Sequence, residues 1–140
     1  MVFVPAGGLP GTAWRNAALE QQSQGATIET TAPGTTSTLG GFRLQFVGLG
    51  LRAVGPAGKA VCVFGDLDTQ AQADAAALLR GPCDYLVLPG GGKSAPAPEL
   101  MARARPRVLI ASLASGRTAR GLPAGSLRRT DQEGTVELPM

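Results

Sequence analysis

The run Asp84-Tyr85-Leu86-Val87-Leu88-Pro89-Gly90-Gly91-Gly92-Lys93-Ser94 decides how this chain is read, together with Ala60-Val61-Cys62-Val63-Phe64-Gly65-Asp66 upstream of it. Each is a short apolar stretch that breaks abruptly into glycine and polar residues. A run apolar at every position is a strand covered on both faces, and the break marks the loop at its carboxyl end. Between the two, Asp68–Arg80 reads as a helix with Asp68 as its cap and Ala71, Ala75, Leu78 and Leu79 turned inward. Strand, helix, strand in that order is the signature of an α/β sheet.

Working outward, Pro98–Arg105 predicts a short helix opening on proline, where a missing N–H costs nothing. Arg107–Ser112 predicts another strand. After a Gly/Arg loop, Ser126–Arg129 and Thr135–Leu138 are expected to pair as a hairpin around Asp131-Gln132-Glu133-Gly134. On the other side, Phe42–Val47 alternates with period two, and Leu49–Val54 and Ala60–Phe64 complete a β-meander with a turn at Gly55-Pro56-Ala57-Gly58. Pro33-Gly34 and the Thr/Ser-rich residues after it read as a hinge, and Ala26–Thr31 as a strand. Ala13–Gln24 reads as a helix capped by Thr12 and stopped at Gly25, with Trp14, Ala17 and Ala18 on one face. Val2–Val4 is a first short strand, followed by a turn at Gly7-Gly8-Leu9-Pro10-Gly11. The expectation is one α/β (α+β) domain over 1–140, helix plus meander in 1–64 and alternating helix and strand in 65–140. It forms a layer of a larger sandwich.

The 140 residues include no histidine, which excludes Ser-His-Asp catalysis and histidine-ligated metal sites. Two cysteines, Cys62 and Cys83, have neither zinc-ribbon spacing nor the look of a disulfide framework, and Cys62 reads as a small buried hydrophobe. No stretch approaches the ~18 apolar residues of a membrane span, and the start lacks a basic, then apolar, leader. On that basis the chain reads as cytoplasmic. The net charge of +3 is uneven: residues 80–129 hold nine basic side chains against two acidic. That excess suits a polyanion, although no aromatic platform interleaves with it.

Asp66, just past a buried strand, projects from the carboxyl edge where open α/β sheets place their sites. With Asp68 it is a candidate for a divalent cation, but a hydrolytic zinc needs about three protein ligands. Capping of the helix that follows is the favoured reading of both carboxylates for this chain alone. Gly91, Gly92, Lys93 and Ser94 invite a P-loop reading. The glycine which that motif requires five residues before Gly92 is Val87 here, so no nucleotide is expected. What remains is either a glycine-rich anion nest beside the Lys93 charge or only a flexible connection.

In order and spacing, several segments resemble the metallo-β-lactamase-fold domain of the ComEC competence proteins, channels for DNA uptake. They are Gly7-Gly8-Leu9-Pro10, Leu39-Gly40-Gly41-Phe42-Arg43-Leu44, Phe64-Gly65-Asp66-Leu67, Asp84–Pro89, Pro98-Glu99-Leu100, Arg105-Pro106-Arg107-Val108 and Arg128-Arg129-Thr130-Asp131-Gln132-Glu133-Gly134-Thr135-Val136. The resemblance implies the second half of an αββα sandwich. It matches Asp66 to the metal-bridging aspartate of the family. The departures are as informative. The family's histidine-rich motif is replaced by Val2, Val4 and Pro5, its Pro-His-His-Gly by Pro89-Gly90-Gly91-Gly92, and its Gly-His-Pro by Gly121-Leu122-Pro123.

The resemblance therefore implies a degenerate hydrolase domain, without a cofactor, that is structural or weakly DNA-binding. Gly91, Gly92, Lys93, Ser94, Arg103 and Arg105 are the candidate phosphate contacts. The alternative is a nuclease or phosphoesterase holding magnesium or manganese, or zinc, at Asp66. The family's domain begins with strands that have no counterpart here. The expected partner is thus a second copy or the remainder of a longer membrane channel protein, in which case the chain is membrane-associated.

Overall fold

A computed structural model describes residues 1–5, 12–112, 122 and 126–140. The turn expected at Gly7–Gly11 and most of the Gly/Arg loop lie outside the described residues. The order is β1 (Val2–Pro5), α1 (Thr12–Ser23), β2 (Ile28–Thr31), β3 (Thr36–Leu39), β4 (Phe42–Val47), β5 (Gly50–Val54), β6 (Ala60–Val63), α2 (Thr69–Leu78), β7 (Tyr85–Val87), a 3-10 turn at Pro89–Gly92, α3 (Pro98–Ala104), β8 (Val108–Ala111), β9 (Leu127–Arg129) and α4 (Thr130–Glu133).

Strands β3 to β9 form one seven-stranded sheet in sequence order. The β3–β6 half is antiparallel and the β6–β9 half parallel. The chain is thus mixed α/β, as its alternation of apolar strands and capped helices implies. β1 and β2 form a separate parallel pair.

Strand alternation divides the sheet into two faces. One row across it runs Gln45, Arg52, Cys62, Leu86, Leu109 and Leu127. On this side α2 and α3 pack, and the core gathers Val47, Phe64, Leu88 and Ala111 from the sheet with Ala75, Ala76 and Leu79 beside α2 and Leu100 and Ala104 from α3. The opposite face presents Leu44, Ala53, Val61 and Tyr85, and alongside them Phe46, Leu51, Val63 and Val87. The β1–β2 pair touches it where the Phe3 and Phe46 rings stand 5.0 Å apart. The carboxyl-terminal residues reach it too: the Tyr85 hydroxyl donates to the Pro139 carbonyl at 3.3 Å.

Four expectations change. The two cysteines are joined: Cys62 and Cys83 form a disulfide with Cα atoms 5.8 Å apart, and both are fully buried. Their separation of 21 residues spans one strand–helix–strand crossover, which returns the chain to the neighbouring strand. The expected hinge after Pro33-Gly34 contains the edge strand β3, whose threonines suit extended backbone. The expected closing hairpin is absent from the described residues. β9 instead joins the sheet parallel to β8 and runs into α4, because the acidic residues of the expected turn fold back onto Arg128 and Arg129. In α2 the inward positions include Gln72, Ala75 and Ala76, while Leu78 is exposed.

Two buried glutamines tie the layers. Gln45 donates to the Leu78 carbonyl at 2.7 Å and accepts from the Arg80 N–H at 3.2 Å, closing the end of α2 onto β4. Gln72 donates to the Leu67 carbonyl and accepts from the Ala97 N–H at 2.8 Å, fixing the approach to α3. Each amide nitrogen and each amide oxygen has a backbone partner, which is the condition for burying them at little cost.

Candidate functional site

Because β6 to β9 run in one direction, their carboxyl ends collect Gly65-Asp66, Pro89–Ser94, Ser112 and Thr130 along one edge of the sheet. This is the edge on which open α/β sheets build sites. The Gly90 N–H donates to the Gly65 carbonyl at 3.1 Å, so the loops after β6 and β7 are held together.

Asp66 is exposed on this edge. Asp68 is committed elsewhere: its carboxylate accepts from the Ala71 N–H at 2.8 Å and caps α2. Among the described residues no group of three or more acidic or cysteine side chains is placed to hold a metal ion. A zinc hydrolase centre needs about three protein ligands with an open position. The donor set here, one exposed carboxylate in a chain without imidazoles, does not fit that group.

The glycine run is built for folding more than for cradling an anion. Gly90, Gly91 and Gly92 all have positive φ (58°, 65° and 83°), and the Lys93 N–H returns to the Gly90 carbonyl at 3.3 Å. Gly92 is buried, and a Cβ there would meet Leu88 Cδ1 at 2.9 Å and Ala111 Cβ at 3.2 Å. Substitution Gly92→Ala combines a disfavoured φ with a close approach, and should lower stability by about 2 kcal/mol. A urea midpoint comparison checks it, with the exposed Ser94→Ala as the neutral control. Lys93 and Ser94 are exposed beside this turn, and Lys93 has no ion-pair partner among the described residues.

Arg103 and Arg105 are not part of this edge. α3 runs back from it, so its last residues lie at the amino ends of the parallel strands, where the Cys83 N–H donates to the Ala104 carbonyl at 2.8 Å. The Arg103 guanidinium donates twice to the Leu79 carbonyl, at 3.2 and 2.9 Å, and serves as a cap for the end of α2. Arg105 closes α3 in a left-handed conformation (φ 46°) and lines a shallow depression with Pro82, Asp84 and Arg107. The six expected phosphate contacts therefore divide between opposite ends of the sheet.

The basic excess is also partly neutralised. Arg128 pairs with Glu133, Arg129 with Asp131 at 2.6 Å, and Arg107 approaches Asp84 at 3.9 Å. Bonds from Arg128 and Arg129 hold the Glu133 and Asp131 carboxyls below their usual range. Asp84 anchors the other end. Its carboxylate accepts from the Ala60 N–H at 2.9 Å and pairs with Lys59 at 3.4 Å. The Ala60 N–H, with Lys59 and Arg107 behind it, lowers the Asp84 pKa against an opposing effect of burial. A carboxyl more acidic in the folded than in the unfolded chain stabilises fully at neutral pH. That contribution fades as pH falls through the folded-state pKa. The Asp84→Asn variant should be less stable at pH 7 and lose less on acidification, as thermal melts across the acid range would register.

Comparison of the chain with protein-family models, curated proteins and solved structures finds no match.

Two features escaped the sequence reading. One is the disulfide. The other is a group of arginines, Arg43, Arg52 and Arg80, drawn from segments far apart in the chain but lining one groove. The available signal was the position of Arg43 and Arg52 on alternating strands: each is a charged residue where the pattern calls for a helix-facing side chain.

Proposed function

We propose that this chain is a non-catalytic α/β module, a degenerate relative of the metallo-β-lactamase-fold domain of DNA-uptake proteins, with a structural or weakly DNA-binding role. The observation that carries the reading is the carboxyl edge: the Gly65 and Gly90 loops are tied together as a site would require, yet they present Asp66 as a lone carboxylate. The absence of histidine from the sequence supports it. Lys93 and Ser94 are the contacts left for a DNA backbone at that edge.

The disulfide supports an oxidising compartment rather than the cytoplasm, since buried cystines of this kind persist where thiols are not kept reduced. No described helix is long and apolar enough to cross a membrane. On the face away from α2 and α3, exposed Val63 and nearby Leu49 favour a covering partner, either a second copy or the rest of a longer channel protein.

Fluorescence anisotropy with labelled single-stranded DNA tests the binding role. Affinity should fall steeply with added salt, as phosphate contacts release counterions. It should weaken further with Lys93→Ala. Arg103→Ala should instead cost about 1 kcal/mol of stability with little change in affinity, because its guanidinium holds the Leu79 carbonyl. The competing reading is a magnesium- or manganese-dependent nuclease or phosphoesterase using Asp66. It requires phosphodiester cleavage that EDTA stops and Asp66→Ala abolishes.

A further inference from the structure

A groove of about 380 Å³ opens between the β3–β4–β5 hairpins and the segment that follows α2. Thr36, Thr38, Arg43, Gln45, Arg52 and Arg80 line it, and among the described residues no carboxylate does. Arg43 and Arg80 are exposed and make no ion pair among the described residues. Arg52 is half-buried and fixed in place: its Nε donates to the Pro82 carbonyl at 3.0 Å, and a Cβ on Gly81 would touch its Nη2 at 3.0 Å. Gln45 holds the Arg80 backbone at the rim.

Arg43 and Arg52 repel one another across this concavity, Arg80 adds a third cationic side chain to its lining, and no carboxylate among the described residues lines it. Burial first, then the neighbouring Arg43, lower the Arg52 pKa, with Asp84 opposing from behind. Guanidinium groups are suited to the bidentate geometry of phosphate oxygens. The threonine hydroxyls add neutral donors of the kind that complete such sites.

We infer that this groove binds a small phosphate-bearing ligand carrying one or two phosphoryl groups, through Arg43, Arg52 and Arg80. The volume falls in the range of small-molecule sites rather than of an extended strip that follows a nucleic-acid backbone. The groove is separate from the carboxyl edge, so the inference stands independently of the DNA reading.

Titration calorimetry and thermal melts with sodium pyrophosphate, at ionic strength held constant with sodium chloride, test it. The expected result is saturable binding that raises the melting temperature and weakens at least tenfold in Arg43→Ala and in Arg80→Ala. Both side chains are exposed, and the variants' melts without ligand verify that they fold. Arg43→Lys should recover part of the affinity, as a charge without the planar fork. The absence of saturable binding would overturn the inference, as would binding indifferent to both alanine variants. So would an oligonucleotide that binds more tightly than pyrophosphate through these same arginines.

Discussion

Phe64→Ala should be the most damaging single substitution in the chain, costing about 4 kcal/mol and moving the urea midpoint accordingly. Phe64 is fully buried and is the largest such side chain among the described residues. Its ring lies against Gly50, where an added Cβ would stand 2.5 Å from Phe64 Cδ1. The close fit comes from both partners: the strand start at Gly50 has no side chain because the ring occupies that space. Truncation leaves a cavity in the core between the sheet and its helices, and Val47, Leu88 and Ala111 of the same core cluster belong to strands or turns with little freedom to collapse. Phe64→Leu should recover much of the loss. Because Phe64 immediately precedes Gly65-Asp66, the alanine variant should also loosen the tie between the Gly65 and Gly90 loops. Hydrogen exchange at the Gly90 amide would register that.

Loss of the Cys62–Cys83 disulfide should cost about 3 kcal/mol and lower the melting temperature by about 10 °C. The bond closes a loop of 21 residues that contains α2, so cutting it frees the whole crossover in the unfolded chain. The double variant Cys62→Ala/Cys83→Ala should show the lowered melting temperature and no further response to reductant. The parent protein, unfolded and refolded in reductant, should fall to the same value. Equal stability of parent and variant would mean that the bond does not form.

The parts of the fold that sequence reveals are those fixed by local chemistry. Asp68 announces α2 because a side-chain acceptor before a run of alanines has one obvious use, and it does cap Ala71. The alternation in Phe42–Val47 and the apolar runs at Ala60–Val63 and Tyr85–Val87 are strands because each has the period or the full apolarity that its place in the sheet demands. What is not legible depends on residues meeting from a distance. Cys62 and Cys83 look unrelated until β6 and β7 are known to be parallel neighbours. Thr36–Leu39 looks like a hinge because an edge strand needs no apolar pattern. Arg128-Arg129 and Asp131-Glu133 look like parts of a hairpin, whereas the arginines at the end of β9 pair with the carboxylates of the short helix that follows.

The candidate site divides in the same way. Asp66 and Lys93 fall on the carboxyl edge because each directly follows a strand or its turn. Arg103 and Arg105 belong to the same basic excess in sequence, but α3 carries them to the opposite end of the sheet. The arginine groove draws on β4, β5 and the end of α2, and only the folded chain brings those together.

Metal content and phosphodiesterase activity, measured together on the purified disulfide-intact protein after exposure to zinc, manganese and magnesium, test the central claim most directly. The account predicts no stoichiometric metal retained after desalting and no cleavage of single-stranded DNA with any of the three ions. Stoichiometric metal accompanied by cleavage that is lost in Asp66→Ala would contradict it and make the carboxyl edge an active site.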